Sequence, residues 1–255
     1  MPSPTEYIAL GDSMSIDLYP ALDAGEIEVS VALEWDSRAG QVAPLGAASL
    51  FHRNVDDRYP EFESRDLVSR YGDIAFANLS EDGATIGDVF GSQMLEITES
   101  DESTLITLTI GGNDLLSAFE ARPDPRRLAA VVRDVAEAYE MLVESLERTR
   151  PNAALILTTV YDPSDDTRTI PGLFEGAGKL PLEALHDLNA RIKRVATHAR
   201  RAAVADAYTH FQGHGVTAPE AERWYWKRNL IEPSATGASE IRRLWLDALL
   251  SLDED

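Results

Sequence analysis

Short apolar runs alternate with longer stretches of helical period along this chain. The runs are rich in β-branched and aliphatic residues and are flanked by turn formers, as buried strands usually are. They cover residues 7–10, 73–78, 104–110, 153–160 and 202–206, with a weaker candidate at 26–33. This alternation predicts an α/β domain with a mostly parallel sheet and helices on both of its faces.

Three of the longer stretches place apolar residues at helical intervals. The clearest follows Asp124 and Pro125, a residue pair suited to an N-cap and a first helical position, and its apolar stripe runs through 128–146. A second helix is predicted from about Pro181, and the last one contains residues 241–249. We expect all three to pack on the sheet.

Two stretches follow neither period. Residues 34–72 show no sustained pattern, and residues 162–180 are dense in turn formers, so we predict two long loops. In open α/β sheets such loops usually shape a ligand pocket at the carboxyl ends of the strands. We find no repeat or linker, and 255 residues suffice for one core, so we predict a single domain over 1–255.

Charge and composition limit the classes of molecule that this chain is expected to bind. The formal net charge of −21 repels polyanions, which argues against nucleic acid and anionic membranes. No apolar stretch reaches the ~18 residues of a membrane span, and the N-terminus shows no export signal. The chain has no cysteine. We therefore expect a soluble, cytoplasmic protein that acts on a small neutral or cationic molecule.

Three polar or small residues follow three of the predicted strands. Ser13 ends the triplet Gly-Asp-Ser after the first strand, Gly83 follows the strand at 73–78, and Asn113 follows the strand at 104–110. The carboxyl ends of parallel strands share one edge of the sheet, where ligands of open α/β sheets bind. A serine hydroxyl with nearby backbone and amide donors suits acyl transfer through a stabilised oxyanion.

These motifs resemble those of the GDSL or SGNH hydrolases. The segments YIALGDS, NLSEDGAT, TIGGNDLL and LILTTVYDP carry the resemblance, which spans nearly the whole chain except 34–72. It implies a three-layer, flavodoxin-like parallel sheet of about five strands. It also implies that Ser13 is the nucleophile, that Gly83 and Asn113 belong to the oxyanion hole, and that no cofactor is required. Asp12 is expected to support the turn through backbone hydrogen bonds.

The last motif of the family departs from its usual form. The resemblance leads us to expect an aspartate, a histidine base, a proline and a glycine, and the chain reads NLIEPSATG. Pro233 and Gly237 keep the spacing, so Asn229 stands at the aspartate position and Glu232 at the histidine position. Burial can raise the pKa of a glutamate, which makes Glu232 the leading candidate for the base.

Alternatives to Glu232 lie nearby or elsewhere in the chain. His214, in the segment DAYTHFQGHG, is a second candidate base, although an ordinary loop histidine would look the same. Asp12, Asp17, Asp114 and Glu232 would form a hard-cation site if they converged, but their spacing matches no known metal loop. We therefore expect no metal.

Two functions follow. The first is a serine hydrolase that acts on carboxylic, thio or acetyl esters through a Ser13 acyl-enzyme, with Glu232 in place of histidine. The second is a ligand-binding protein of the same fold that has lost efficient turnover with the histidine. Neither the natural substrate nor the oligomeric state follows from the sequence.

Overall fold

The fold is built on a five-stranded sheet whose strands are all parallel. A computed structural model describes residues 3–27, 42–121, 125–173 and 178–254. The strands are β1 (Glu6–Gly11), β2 (Ala75–Asn78), β3 (Thr104–Thr109), β4 (Ala154–Thr158) and β5 (Ala202–Ala205). Their order is β2-β1-β3-β4-β5, the flavodoxin-like arrangement. The predicted fold class is confirmed, whereas most of the weak strand candidate at 26–33 falls outside the described residues.

Helices flank the sheet in the described part of the chain. They are α1 (Leu18–Asp23), α2 (Ala47–His52), α3 (Leu67–Tyr71), α4 (Ile86–Gly91), α5 (Gly112–Glu120), α6 (Pro125–Thr149), α7 (Leu182–His198), α8 (Ala207–Phe211) and α9 (Ala235–Glu254). Short 3-10 turns occupy Pro60–Phe62, Gln93–Glu96 and Glu220–Glu222. None of the described helices is both long and apolar enough to cross a membrane.

The two faces of the sheet have separate apolar cores, because successive side chains of a strand point to opposite faces. On one face, Tyr7 and Ile156 pack with residues of α2 and with Trp245 of α9. On the other, Ile8 and Leu155 pack with residues of α4, α6 and α7. The apolar stripes predicted for the three long helices are therefore confirmed. Helix α6 begins at Pro125, and the predicted cap, Asp124, lies outside the described residues.

The prediction of one long loop over 34–72 is wrong for part of its length. Residues 47–71 contain α2, α3 and a 3-10 turn, and Leu50, Phe51 and Phe62 are fully buried against the core on the α9 side. Helices of five or six residues are too short to show a period, and packing rather than local propensity holds them. Residues 162–173 and 178–180 contain turns and bends without a helix or strand, as predicted.

Candidate active site

The residues after β1, β2 and β3 meet at the carboxyl edge of the sheet, which we define as the ends of these strands and the turns that follow them. In the sheet register Ala9 pairs with Asn78, and Gly11 pairs with Thr109. Beyond the strands, the Glu81 amide donates to the Gly11 carbonyl at 3.0 Å. Ser13 and the loop that carries Gly83 therefore lie on adjacent strand ends.

Asn113 is tied to the Gly83 loop. It lies in the first turn of α5, and its side-chain amide donates to the Ala84 carbonyl at 2.9 Å. An asparagine amide has two protons, so one remains for another acceptor. Gly83 adopts a φ of +69°, a conformation that side chains rarely take, which explains a glycine there.

The turn after β1 is held by a residue that the sequence analysis did not single out. Gln93 is fully buried, and its side-chain oxygen accepts from the Gly11 amide at 2.8 Å. Its side-chain nitrogen donates to the Gly11 carbonyl, also at 2.8 Å. The Gln93 side chain therefore hydrogen-bonds to both the amide and the carbonyl of Gly11, two residues before Ser13. It lies in an irregular 3-10 turn, where no pattern in the sequence marks it.

Two backbone amides at the carboxyl edge have no hydrogen-bond acceptor among the described residues. Within the described residues, neither the Ser13 amide nor the Gly83 amide donates a hydrogen bond. Most buried amides are paired, and Ser13 is 8 % exposed, so its unpaired amide calls for an acceptor. These two amides and the second Asn113 proton are the kinds of donor that stabilise an oxyanion.

Glu232 reaches the same edge from a loop ahead of α9. The Trp226 amide donates to the Glu232 carbonyl at 2.8 Å, and the Glu232 amide donates to the Asn229 carbonyl at 3.0 Å. Gly237 faces the Trp224 carbonyl so closely that a Cβ would stand 2.0 Å from its oxygen. The proline and glycine spacing of the motif thus preserves a packed loop, although the histidine is absent.

The Glu232 carboxyl is buried and lies against Ser13. Burial raises its pKa to about 8, the Ser13 hydroxyl opposes this as a hydrogen-bond donor to the carboxylate, and Asp82 and Asp12 raise it further by charge repulsion. Glu232 is 6 % exposed, and its Oε2 atom has no well-formed hydrogen bond within the described residues. Hydrogen bonds between catalytic groups are often long before substrate binds.

Asp12 is buried beside this pair. Its carboxylate accepts from the Met14 amide at 3.1 Å, which agrees with its expected role in supporting the turn. Burial raises the pKa of Asp12 to about 7, and repulsion from Asp114 adds to the increase, while hydrogen bonds from Met14 and Thr109 oppose it. Two carboxyl groups with raised pKa values therefore flank Ser13.

Asn229 precedes Glu232 in the same loop, and His214 lies in the loop that follows α8. Asn229 supports Glu232 through its backbone carbonyl, and its own Oδ1 is buried without a partner among the described residues. The His214 ring stacks on Trp224, with centroids 3.6 Å apart, and its Nδ1 lies 3.2 Å from the Glu222 carbonyl. No contact described for His214 involves Ser13 or Glu232, so the geometry favours Glu232.

Two tyrosines lie close to Glu232 and were also missed by the sequence analysis. Tyr19 donates to the Asp82 carboxylate at 2.9 Å, and Tyr161 donates to the Ile231 carbonyl at 2.8 Å. Burial raises the pKa of both phenols, and the negative charge of Glu232 raises it further, which places both near its carboxyl. Tyr161 follows β4, so the strand-end rule that found Asn113 would also have found it.

An apolar pocket opens beside the pair of Ser13 and Glu232. Its polar lining consists mainly of Asp12, Ser13, Asn113, Asp162 and Glu232. The rest is largely aliphatic and aromatic. These residues are Leu115, Leu116, Phe119, Leu128, Val160, Tyr161, Ile170, Leu180, Leu182, Leu185 and Ile231.

The hard-cation alternative finds no support in the described residues. No three histidine, cysteine, aspartate or glutamate residues among them are grouped so as to hold a metal ion. Asp17 instead accepts from the Gly46 amide and the Ser49 hydroxyl, and Asp114 accepts from the Ile86 amide. These carboxylates stabilise loops and a helix start.

The chain belongs to the GDSL-like lipase/acylhydrolase family. The family model matches residues 36–238, which include Gly83, Asn113 and Glu232, whereas the Gly-Asp-Ser triplet precedes the matched range. Membership supports ester hydrolysis as the general activity. No curated protein matches the sequence.

Solved structures of similar fold include several ester hydrolases. An extracellular lipase from Streptomyces rimosus is 20% identical, with a TM-score of 0.61 and coverage of 97% of this chain and 99% of that one. A phospholipase A1 from Streptomyces albidoflavus is 20% identical, with a TM-score of 0.62 and the same coverage. The acetylxylan esterase Axe2 from Geobacillus stearothermophilus is 17% identical, with a TM-score of 0.63 and coverage of 98% and 96%. These likenesses support the fold.

Proposed function

We propose that this chain is a serine esterase that forms an acyl-enzyme on Ser13 and uses the Glu232 carboxylate as its general base. The observation that carries this proposal is that Ser13 and the buried Glu232 line one pocket, with Ser13 near enough to act on the pKa of the Glu232 carboxyl. The order of these residues along the chain, and the proline and glycine after Glu232, agree with the family. No cofactor takes part in the proposed reaction.

The raised pKa suits Glu232 to this task. A general base works best when its pKa lies near the working pH, and a glutamate with its ordinary pKa of 4.5 is too weak to take a proton from serine. With a pKa of about 8, the ionised form of Glu232 is a far stronger base. Near neutral pH most Glu232 is protonated, so we expect activity to increase with pH.

The reaction has two halves. In the first, Ser13 Oγ attacks the ester carbonyl carbon while Glu232 takes the hydroxyl proton, and the tetrahedral intermediate then expels the alcohol, which receives that proton from Glu232. In the second, water attacks the acyl carbon, Glu232 takes a proton from it, and the carboxylic acid leaves as Ser13 recovers its proton. Each half returns Glu232 to its ionised form.

The negative charge that develops on the carbonyl oxygen of the ester needs hydrogen-bond donors to stabilise it. We assign the oxyanion hole to the backbone amides of Ser13 and Gly83 and to the side-chain amide of Asn113. The support is that both backbone amides lack internal acceptors among the described residues and that Asn113 keeps one proton after donating to Ala84. Donors held in place before reaction cost nothing to reorganise as charge develops.

The test is hydrolysis of p-nitrophenyl butyrate between pH 5 and 10 by the wild-type protein and by Ser13→Ala. We expect the Ser13→Ala variant to lose at least ~10³-fold in kcat, and the wild-type rate to increase with an apparent pKa near 8. Ser117→Ala, an exposed position on α5, is the matched control and should retain full activity. Equal rates for the wild-type protein and Ser13→Ala, with both folded, would overturn the proposal.

A second candidate is a ligand-binding protein that has lost turnover. The observation in its favour is the same raised pKa, because a carboxyl protonated at neutral pH cannot accept a proton there. Glu232→His separates the two. A gain of esterase activity over an inactive wild-type protein would indicate a decayed site, whereas loss of an existing activity would indicate a working glutamate.

A further inference from the structure

We infer that the substrate is an ester of an apolar acyl group larger than acetyl with an uncharged or cationic alcohol. This inference rests on the proposed function and narrows its substrate class. Two features of the site carry it: an apolar cluster that lines the pocket together with Ser13, and the carboxylates of Asp12 and Asp82 near Glu232.

The apolar cluster is distinct from the two cores of the sheet. Phe119 of α5, Ile170 and Leu180 of the loop at 162–180, and Leu182 of α7 form a separate buried cluster. All four line the pocket beside Ser13. These residues thus come from a helix, a loop and a second helix, and all turn apolar side chains toward the same cavity.

This lining offers a sugar few hydrogen-bonding groups. Specific carbohydrate or acetyl-sugar recognition needs donors and acceptors along the ligand, and apolar pockets bind the apolar parts of ligands. Besides the reacting residues, the pocket's polar groups are Asp12, Tyr161 and Asp162. Asp12 accepts from the Met14 amide, and Tyr161 donates to the Ile231 carbonyl. The two carboxylate oxygens of Asp162 already accept from the Ser164 and Asp166 amides at 2.9 Å. An aliphatic or aryl acyl chain fits the lining, and an acetyl group would leave most of it without contact.

The surroundings of Glu232 set the charge of the alcohol. Glu232 must protonate the departing alcohol, so that group leaves next to its carboxyl. Asp12 lines the pocket together with Glu232, and both Asp82 and Asp12 act on Glu232 by charge repulsion. No lysine or arginine among the described residues lines the pocket. The whole chain carries −21, which adds a long-range repulsion of anions. An anionic leaving group would meet this field, whereas a neutral or cationic one would not.

The acyl part of the inference is tested with p-nitrophenyl acetate, butyrate and octanoate. We expect kcat/KM for octanoate to exceed that for acetate by ~10²-fold, since each buried methylene contributes ~0.8 kcal/mol and part of that is realised. Leu116→Trp, which fills the pocket from α5, should reduce the octanoate rate by ~10-fold or more and spare acetate. Leu250→Trp, on the half-exposed outer side of α9, is the matched control. Equal use of acetate and octanoate would overturn this part.

The alcohol part is tested with the choline, ethyl and glycolate esters of octanoic acid. We expect kcat/KM for the choline ester to exceed that for the glycolate ester by ~10-fold at low salt, with the ratio falling as salt screens the charges. Asp82→Asn should reduce the ratio. A glycolate ester hydrolysed as fast as the choline ester at low salt would contradict the inference.

A binding measurement separates failure of this inference from failure of the proposed function. Octanamide is neutral and resists hydrolysis, and calorimetry with Ser13→Ala measures its binding without turnover; acetamide is the control. If octanamide binds and acetamide does not, but no ester is hydrolysed in a Ser13-dependent way, the acyl pocket is supported and the proposed esterase function is contradicted. Ser13-dependent hydrolysis without octanamide binding would support the esterase function and contradict the acyl pocket.

Discussion

Ser13, Gly83 and Asn113 stand just beyond the ends of neighbouring strands, whereas Glu232 stands on an irregular loop ahead of the last helix. The first group is positioned by the ladder of the sheet, with the buried Gln93 gripping Gly11. The second is positioned by backbone hydrogen bonds between Trp226, Asn229 and Glu232. A regular scaffold holds the proposed nucleophile and oxyanion donors, and a loop holds the proposed base.

This difference explains where the family motif is kept and where it has changed. On the strand ends, Gly83 needs its positive φ and Asn113 is tied to the Ala84 carbonyl of the neighbouring loop, so a substitution disturbs the local backbone. Around position 232 the close packing involves Pro233 on the loop and Gly237 in the first turn of α9, and the side chain at 232 has only to fill a buried space beside Ser13. A different base can therefore occupy that position without a change of backbone.

The largest expected effect is at the loop. Glu232→Gln keeps the shape and removes the base, and we expect kcat to fall by ~10²- to 10⁴-fold. The matched control is Glu222→Gln, an exposed position on the neighbouring 3-10 turn. A variant with wild-type kcat would show that the base lies elsewhere.

The same variant tests the raised pKa through stability. The folded-state pKa of Glu232 is about 8 and its ordinary value is 4.5, so folding favours the protonated form. Its ionisation therefore costs the wild-type protein stability as the pH rises from about 4.5 to about 8. We expect Glu232→Gln to exceed the wild-type protein in unfolding free energy by ~1–3 kcal/mol at pH 9, and by little at pH 5. Urea unfolding at both pH values measures this, and a pH-independent difference would contradict the raised pKa.

On the strand ends, Asn113→Ala removes one proposed oxyanion donor. We expect kcat to fall by ~10²- to 10³-fold with little change in KM, because the interaction forms in the transition state. Asn152→Ala removes an exposed asparagine that also donates to a backbone carbonyl, and it is the control. A change confined to KM would instead indicate ground-state binding.

Gln93→Ala tests positioning without touching the reacting groups. It leaves the Gly11 amide without its acceptor and removes one of the two donors to the Gly11 carbonyl. We expect a loss of ~1–3 kcal/mol in stability and a fall of ~10-fold in kcat. A positioning role predicts an unchanged pH profile and an unchanged acyl-chain preference. An unaltered kcat despite the loss of stability would show that Gln93 has only a structural role.

The smallest effect is expected at the other candidate base. His214→Ala removes a ring stacked on Trp224, at a distance from the described contacts of Ser13. We expect kcat to stay within ~2-fold of the wild-type value, as for most surface substitutions. A fall in kcat of ~10²-fold or more in this variant would restore His214 as the base.

The sequence predicted the regular half of the molecule well. Strands and long helices have periods that hydrophobic burial imposes, so β1, β3 and the stripe of α6 were found within a residue or two. Ser13 and Asn113 were singled out as candidates because a strand end is a place that the pattern marks. The short helices α2 and α3 were missed, because elements of five or six residues depend on partners that lie far away in sequence.

By itself the sequence determined the α/β class, and it indicated the strand-end residues and Glu232 as candidates, since these depend on local pattern and on motif spacing. Only the tertiary structure decided that Glu232 is buried against Ser13 with a raised pKa, that Gln93 grips Gly11, and that an apolar cluster lines the pocket. The reason is physical. Burial and electrostatic environment arise from segments distant along the chain, and no single segment encodes them.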